Sequence, residues 1–79
     1  MGLINQPGAS RIHLLTKRER EIVKLVIQGG RNKDVARSLS IAEHTVEQHL
    51  VHIYQKLNIQ SRIELTNYYH KQIVPYPDE

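Results

Sequence analysis

Cysteine is absent from the 79 residues, which removes disulfides and thiolate metal sites and is compatible with a reducing compartment. Trp and Phe are absent as well, so four Tyr are the whole aromatic complement. No run of 18 apolar residues occurs, which excludes a membrane-spanning helix. The start carries no apolar core of a secretory signal. Strand-like alternation, internal repeats and low-complexity tracts are missing too, which leaves helices as the only periodic elements. A chain this short buries only about 60% of its unfolded surface, so one small domain is expected and a deep catalytic pocket is not. No Ser/His/Asp constellation and no pocket-forming carboxylate pair is visible. Catalytic residues, metals and cofactors are accordingly expected to be none.

What is present is charge, unevenly placed. Arg11, Lys17, Arg18, Arg20, Lys24, Arg31, Lys33 and Arg37 precede residue 38, against Glu19, Glu21 and Asp34. The remainder is slightly acidic, and the net charge is +3. A positive half attracts polyanions through the phosphate-backbone part of nucleic-acid affinity. It is equally what a solvated helix surface looks like, so charge alone decides nothing.

Four helices are expected. The first starts at a capping box, Thr16 with Glu19, carries Ile22, Leu25 and Val26 as its apolar stripe, and ends at Gly29-Gly30. That Gly pair lacks the Gly-Lys-Ser/Thr of a phosphate loop and reads as a helix C-cap. A short second helix spans about Lys33 to Leu39, with Val35, Ala36 and Leu39 inward. The tight Ser40-Ile41-Ala42 connection has the length that joins a helix-turn-helix, and Ile41 is expected to plug its angle. The third helix, about Glu43 to Leu57, places Val46, Leu50, Ile53 and Leu57 on one narrow stripe. Opposite lie His44, Gln48, Val51 and Gln55, with His52 nearby, Glu47 on one flank, and Thr45, His49 and Lys56 on the other. A broad face of amides and imidazoles, almost free of charge, suits hydrogen bonding to base edges. The fourth helix opens with a second capping box, Ser61 with Glu64. Leu65, Tyr68 and Tyr69 share one of its faces and Ile63, Thr66 and His70 another, one for the core and one for a partner. Residues 1–13 are expected as a flexible lead, either a linker or an expression remnant, and 75–79 as a tail.

The blocks Leu15 to Glu21, Asn32 to Ala36, Thr45 to His49, Lys56-Leu57 and Ser61-Arg62, in this order and spacing, resemble the LuxR/FixJ/NarL-type helix-turn-helix of bacterial transcription regulators. The resemblance covers residues 14–74. It implies an all-α, compact four-helix domain containing a helix-turn-helix, with a C-terminal dimerisation helix. It further implies a bacterial, cytoplasmic, sequence-specific regulator of transcription, the output domain of a response regulator or of a ligand-sensing regulator. The third helix would enter the major groove. The implied partners are double-stranded DNA, as an inverted-repeat operator, a second copy of the chain bound weakly alone and more strongly on DNA, and RNA polymerase. Carried over by position, the DNA-binding residues are Arg31, Asn32, Lys33, Arg37, His44, Thr45, Glu47, Gln48, Val51, Gln55 and Lys56. The dimerisation residues are Ile63, Thr66, Asn67, Tyr69 and His70.

Three positions depart from the family pattern. Position 47 is most often Lys, whereas Glu47 repels phosphate but can accept from a cytosine N4 amino group; Gln48 can pair with adenine and Val51 can touch a thymine methyl. Arg31 and Ala42 stand where a capping hydroxyl is usual, so Asn32 is expected to take over the cap of the second helix. Backbone N–H groups at the start of the third are left for a DNA phosphate. Ordinary readings sit beside these. His44, His49 and His52 could hold zinc only as an incomplete set, and His49 reads instead as an orienting hydrogen bond at the core edge. Tyr68-Tyr69 reads as core packing. Lys33, Arg37, Lys56 and Arg62 are solvated charges or phosphate contacts. A protein-interaction module on the same fold is the alternative function, and Glu47 is the feature that favours it.

Overall fold

A computed structural model describes residues 11–73 of the chain, with side-chain surroundings for 11–71. A short 3-10 turn, Ile12–Leu14, leads into α1 (Lys17–Ile27), α2 (Asn32–Leu39), α3 (Glu43–Leu57) and α4 (Arg62–Ile73). Among the described residues there is no strand, and no helix is long and apolar enough to cross a membrane.

The start of α1 is fixed by reciprocal bonds. The Glu19 N–H donates to Thr16 Oγ1 at 3.0 Å, and the Thr16 N–H donates to Glu19 Oε1 at 2.9 Å. Its end is a Schellman motif: the Gly30 N–H reaches the Leu25 carbonyl at 3.0 Å and the Gly29 N–H reaches that of Val26 at 2.9 Å. Gly29 sits at φ +95°, open only to a residue without Cβ. At Gly30 a Cβ would stand 2.8 Å from the Leu25 carbonyl oxygen. The same closure recurs after α2, where Ile41 N–H bonds Ala36 O, and after α3, where Ile59 N–H bonds Tyr54 O. There the left-handed positions are held by Ser40 and Asn58, each at φ 58°.

The core joins Leu15, Ile22, Val23, Val26, Val35, Ala36, Val46, Leu50, Ile53, Leu57 and Leu65. The α3 stripe is the expected one. On α1, fully buried Val23 was not in the expected stripe, because α1 contacts α2, α3 and α4 and so buries a wider arc than a helix with one neighbour. Ile41 packs against the core from the turn between α2 and α3, as expected.

Two helix starts differ from the expectation. Asn32 is not the cap of α2: Arg31 holds that position, extended at ψ 166°, and Asp34 reaches back to its N–H at 3.2 Å. That N–H, the nearby Arg31 guanidinium and Arg37 outweigh a small burial cost and hold the Asp34 carboxyl below its usual range. At α4, the Glu64 N–H donates to Ser61 Oγ at 3.1 Å, but the Glu64 carboxylate accepts from Gln60, one residue beyond the box.

Of the expected flexible lead, residues 1–10 lie outside the described residues, as does the tail 75–79. Arg11 to His13 belong to the fold. The Arg11 N–H donates to the Tyr68 hydroxyl at 2.6 Å, and its Nε donates to the Lys56 carbonyl at 3.0 Å.

No side chain caps α3, although Ala42 already has the extended backbone of a good N-cap, φ −77° and ψ 154°. Ala42→Ser should therefore stabilise the domain by about 0.5–1 kcal/mol. Thermal unfolding followed by circular dichroism checks this; an unchanged or lower midpoint means that the serine hydroxyl does not reach the α3 amides.

Candidate nucleic-acid interface

The turn at Ser40–Ala42 holds α2 against α3, and the two helices together present most of the expected contact residues. On α3 the buried stripe fixes the rotation, so His44, Glu47, Gln48, Val51 and Gln55 are all exposed and Thr45 is half-buried. Val51 is 51% exposed, an apolar side chain in the middle of a polar face. On α2, Lys33 and Arg37 are exposed. Arg31 is exposed too, with its Nε 3.5 Å from Asp34 Oδ2. At such exposure this ion pair is worth little and leaves the guanidinium available.

Three of the expected contacts already have partners within the domain. Lys56 leaves the list of free cations, because its Nζ lies 2.8 Å from Glu19 Oε1 and the carboxylate of Glu19 is almost fully buried. Glu19, read as a cap alone, thus serves two donors, Thr16 N–H and the Lys56 ammonium. Burial pushes its pKa up. The Lys56 hydrogen bond, the Thr16 N–H and the charges of Lys56 and His49 outweigh this and hold it below the ordinary 4.5. His49 is half-buried at this corner, and the expected orienting hydrogen bond is not among those of the described residues. Asn32 and Arg62 are tied to each other: the Arg62 guanidinium donates to Asn32 Oδ1 at 3.1 Å and to the Gly30 carbonyl. This clamp fastens the start of α2 to α4, so Arg62 is a structural cation. Burial also raises the pKa of the half-buried Tyr54 phenol, with Arg62 acting in the opposite sense.

On α4, Ile63, Asn67 and His70 are exposed and share one face, with Ile63 at 73%. Thr66 is half-buried at its edge, donating to the Arg62 carbonyl at 3.2 Å. Tyr69 does not belong with them. It falls about 120° around the helix from Ile63 and packs against the core beside α1.

Among the described residues no group of three or more His, Asp or Glu is placed to hold a metal ion. What remains is two helices at a tight turn, one with a polar, nearly uncharged outer face and one with free cations. Residues 13–69 match the model of the bacterial regulatory proteins, luxR family. The chain belongs to the LuxR family. That family is one of DNA-binding helix-turn-helix domains of transcription regulators, not an enzyme class.

Relatives of this LuxR-family chain include the nitrate/nitrite response regulator protein NarL of Escherichia coli (strain K12), 43% identical over 61 residues. These are 77% of this chain and 28% of NarL. The oxygen regulatory protein NreC of Staphylococcus carnosus is 47% identical over 55 residues, 70% of this chain and 25% of NreC. The chain thus spans about a quarter of the length of these relatives.

Sequence reasoning missed the Glu19–Lys56 pair and the Asn32–Arg62 clamp. Both join residues 30 or more apart, and no local pattern marks such pairs. The exposed α3 face was readable because a buried stripe at helical spacing determines its complement.

Proposed function

We propose that the domain reads the major groove of an inverted-repeat operator with α3, as a dimer joined through the outer face of α4. The observation that carries this is the exposed α3 face of His44, Glu47, Gln48, Val51 and Gln55 beside the free cations Lys33 and Arg37. Amides and imidazoles there meet base edges, while Arg31, Lys33 and Arg37 meet phosphates and set the register without reading sequence. Uncapped amides at Glu43 and His44 give the start of α3 a place for one further phosphate. Ile63, Asn67 and His70 form a self-complementary patch too small to hold a dimer tightly, so association is weak alone and stronger on DNA. The whole protein, in this reading, is the output end of a bacterial, cytoplasmic response regulator or ligand-sensing regulator, with RNA polymerase as a further partner.

The test is selection of bound sequences from a random duplex pool, followed by anisotropy at two salt concentrations. An enriched inverted repeat with affinity falling as salt rises supports the reading. Ile63→Glu should then weaken binding to the full repeat by roughly tenfold while leaving half-site binding nearly unchanged. Exposed Glu47 favours a second reading, a protein-interaction module on the same scaffold. Absence of any enriched sequence, with negligible and salt-insensitive DNA binding, would move the conclusion there.

A further inference from the structure

The basic half of the chain divides in two once folded. Arg31, Lys33 and Arg37 flank the helix-turn-helix, whereas Lys17, Arg20 and Lys24 lie on α1 at helical spacing on one face. The opposite face of α1, with Ile22, Val23 and Val26, is buried in the core it shares with α3. The cationic face therefore points away from α3, and the polar face of α3 points away from α1. A duplex seated on α3 lies on the far side of the domain from these three cations.

They line a cleft. Lys17, Arg20, Glu21 and Lys24 form one wall and Tyr69 of α4 the other, around a space of about 260 Å³ open to solvent. Arg20 spends one guanidinium nitrogen on the Leu15 carbonyl, at 3.1 Å, which orients it and leaves the rest of its fork free. Glu21 lies 3.4 Å from Arg18 in an exposed pair worth little, so this acid offsets one of the three cations and leaves the cleft net positive. Half-buried Tyr69 gives the site an apolar wall.

We infer that this cleft between α1 and α4 binds an acidic peptide segment of a protein partner, with carboxylates on Lys17, Arg20 and Lys24 and an apolar side chain against Tyr69. Charge complementarity selects the sign of the partner. The size of the cleft selects its class: it admits a few side chains of an extended segment, and a duplex is far too wide to enter. Its position leaves it accessible while α3 is occupied, so peptide and operator bind together. That last point alone rests on the proposed DNA reading.

The experiment uses the 79-residue chain and a fluorescein-labelled peptide of alternating glutamate and leucine, with a lysine-leucine peptide as control. Anisotropy and amide chemical-shift mapping follow the titration. The acidic peptide should shift amides of residues 17–24 and 69, with affinity falling as salt rises, while the lysine peptide does nothing. The exposed double variant Lys17→Glu, Lys24→Glu should weaken peptide binding by roughly tenfold or more and leave operator affinity within about twofold. A circular dichroism melt of that variant verifies folding. No binding of the acidic peptide, shifts elsewhere on the domain, or indifference to the charge reversal overturns the inference. Preferential uptake of a single-stranded oligonucleotide at the same residues also overturns it, assigning the cleft to nucleic acid. Peptide binding that competes with operator instead of coexisting with it keeps the cleft and overturns the placement of DNA on α3.

Discussion

Glu19→Ala should cost about 2–3 kcal/mol and lower the thermal midpoint by roughly 10–20 °C, more than any exposed substitution in the domain. The carboxylate is 4% exposed and accepts from two donors at once, the Thr16 N–H and the Lys56 ammonium. Truncation leaves the Thr16 N–H without its acceptor and an ammonium beside a void. Breaking a fully buried pair typically costs about 3–5 kcal/mol. Here the Lys56 side chain keeps 35% exposure and can turn towards water, which removes part of that penalty. Glu19→Gln, which keeps an acceptor of the same shape and drops the charge, should lose about half as much. Equal losses in the two variants would show that the acceptor for the Thr16 N–H adds nothing beyond the ion pair.

The same pair sets a pH dependence whose sign follows from its geometry. The pKa of Glu19 is depressed in the folded domain, so its stabilisation is complete above the ordinary value of 4.5 and is lost as pH falls through the lower folded value. In Lys56→Met the hydrogen bond and the charge of Lys56 are lost, while the Thr16 N–H still opposes burial, so the depression shrinks. That variant should lose less stability than the parent on acidification. Melting midpoints between pH 3 and 7 on both proteins check this, since the slope should be shallower in the variant; equal slopes would mean that Lys56 does not hold the Glu19 carboxyl down.

The elements were legible where a local signal existed. Thr16 with Glu19, Gly29-Gly30, and the stripe Val46, Leu50, Ile53, Leu57 each act over one to four helical turns, so sequence spacing carries them. The α3 range is reproduced from that stripe, and with it the exposure of Gln48, Val51 and Gln55. What sequence could not supply was the partner of each charge. Lys56, Arg62 and Asn32 looked like DNA contacts by position, yet each is held by a residue from a distant helix. Tyr69 was placed with Ile63 although helical spacing separates them, and Arg11 was assigned to a lead although it bonds residues 45 and 57 positions away. Charge counting also misled. The basic excess before residue 38 argued for DNA as one body, and folding places part of it on the face of α1 turned away from α3.

That leaves few free cations beside the reading face, and it makes the sign of residue 47 count. Glu47→Lys should raise affinity for random-sequence duplex by roughly tenfold at low salt and steepen the salt dependence by about one phosphate, a slope change near −0.9. Glu47 is exposed at the flank of α3, one helical turn from Val51 and beside Gln48. At that position a carboxylate repels every phosphate it passes and is rewarded only by a cytosine N4 amino group, so it lowers non-specific binding more than specific binding. Lysine inverts both effects: it attracts any backbone and, among base edges, favours guanine O6 and N7. The selected operator should therefore change at one position per half-site, cytosine to guanine on the same strand, while the positions read by Gln48 and Val51 persist. Parallel selections with the two proteins measure this directly. Retention of the same base at every position would mean that residue 47 faces the backbone rather than the groove. An operator recovered only with the lysine variant would mean that Glu47 had turned the domain away from DNA altogether, leaving the cleft between α1 and α4 as its working surface.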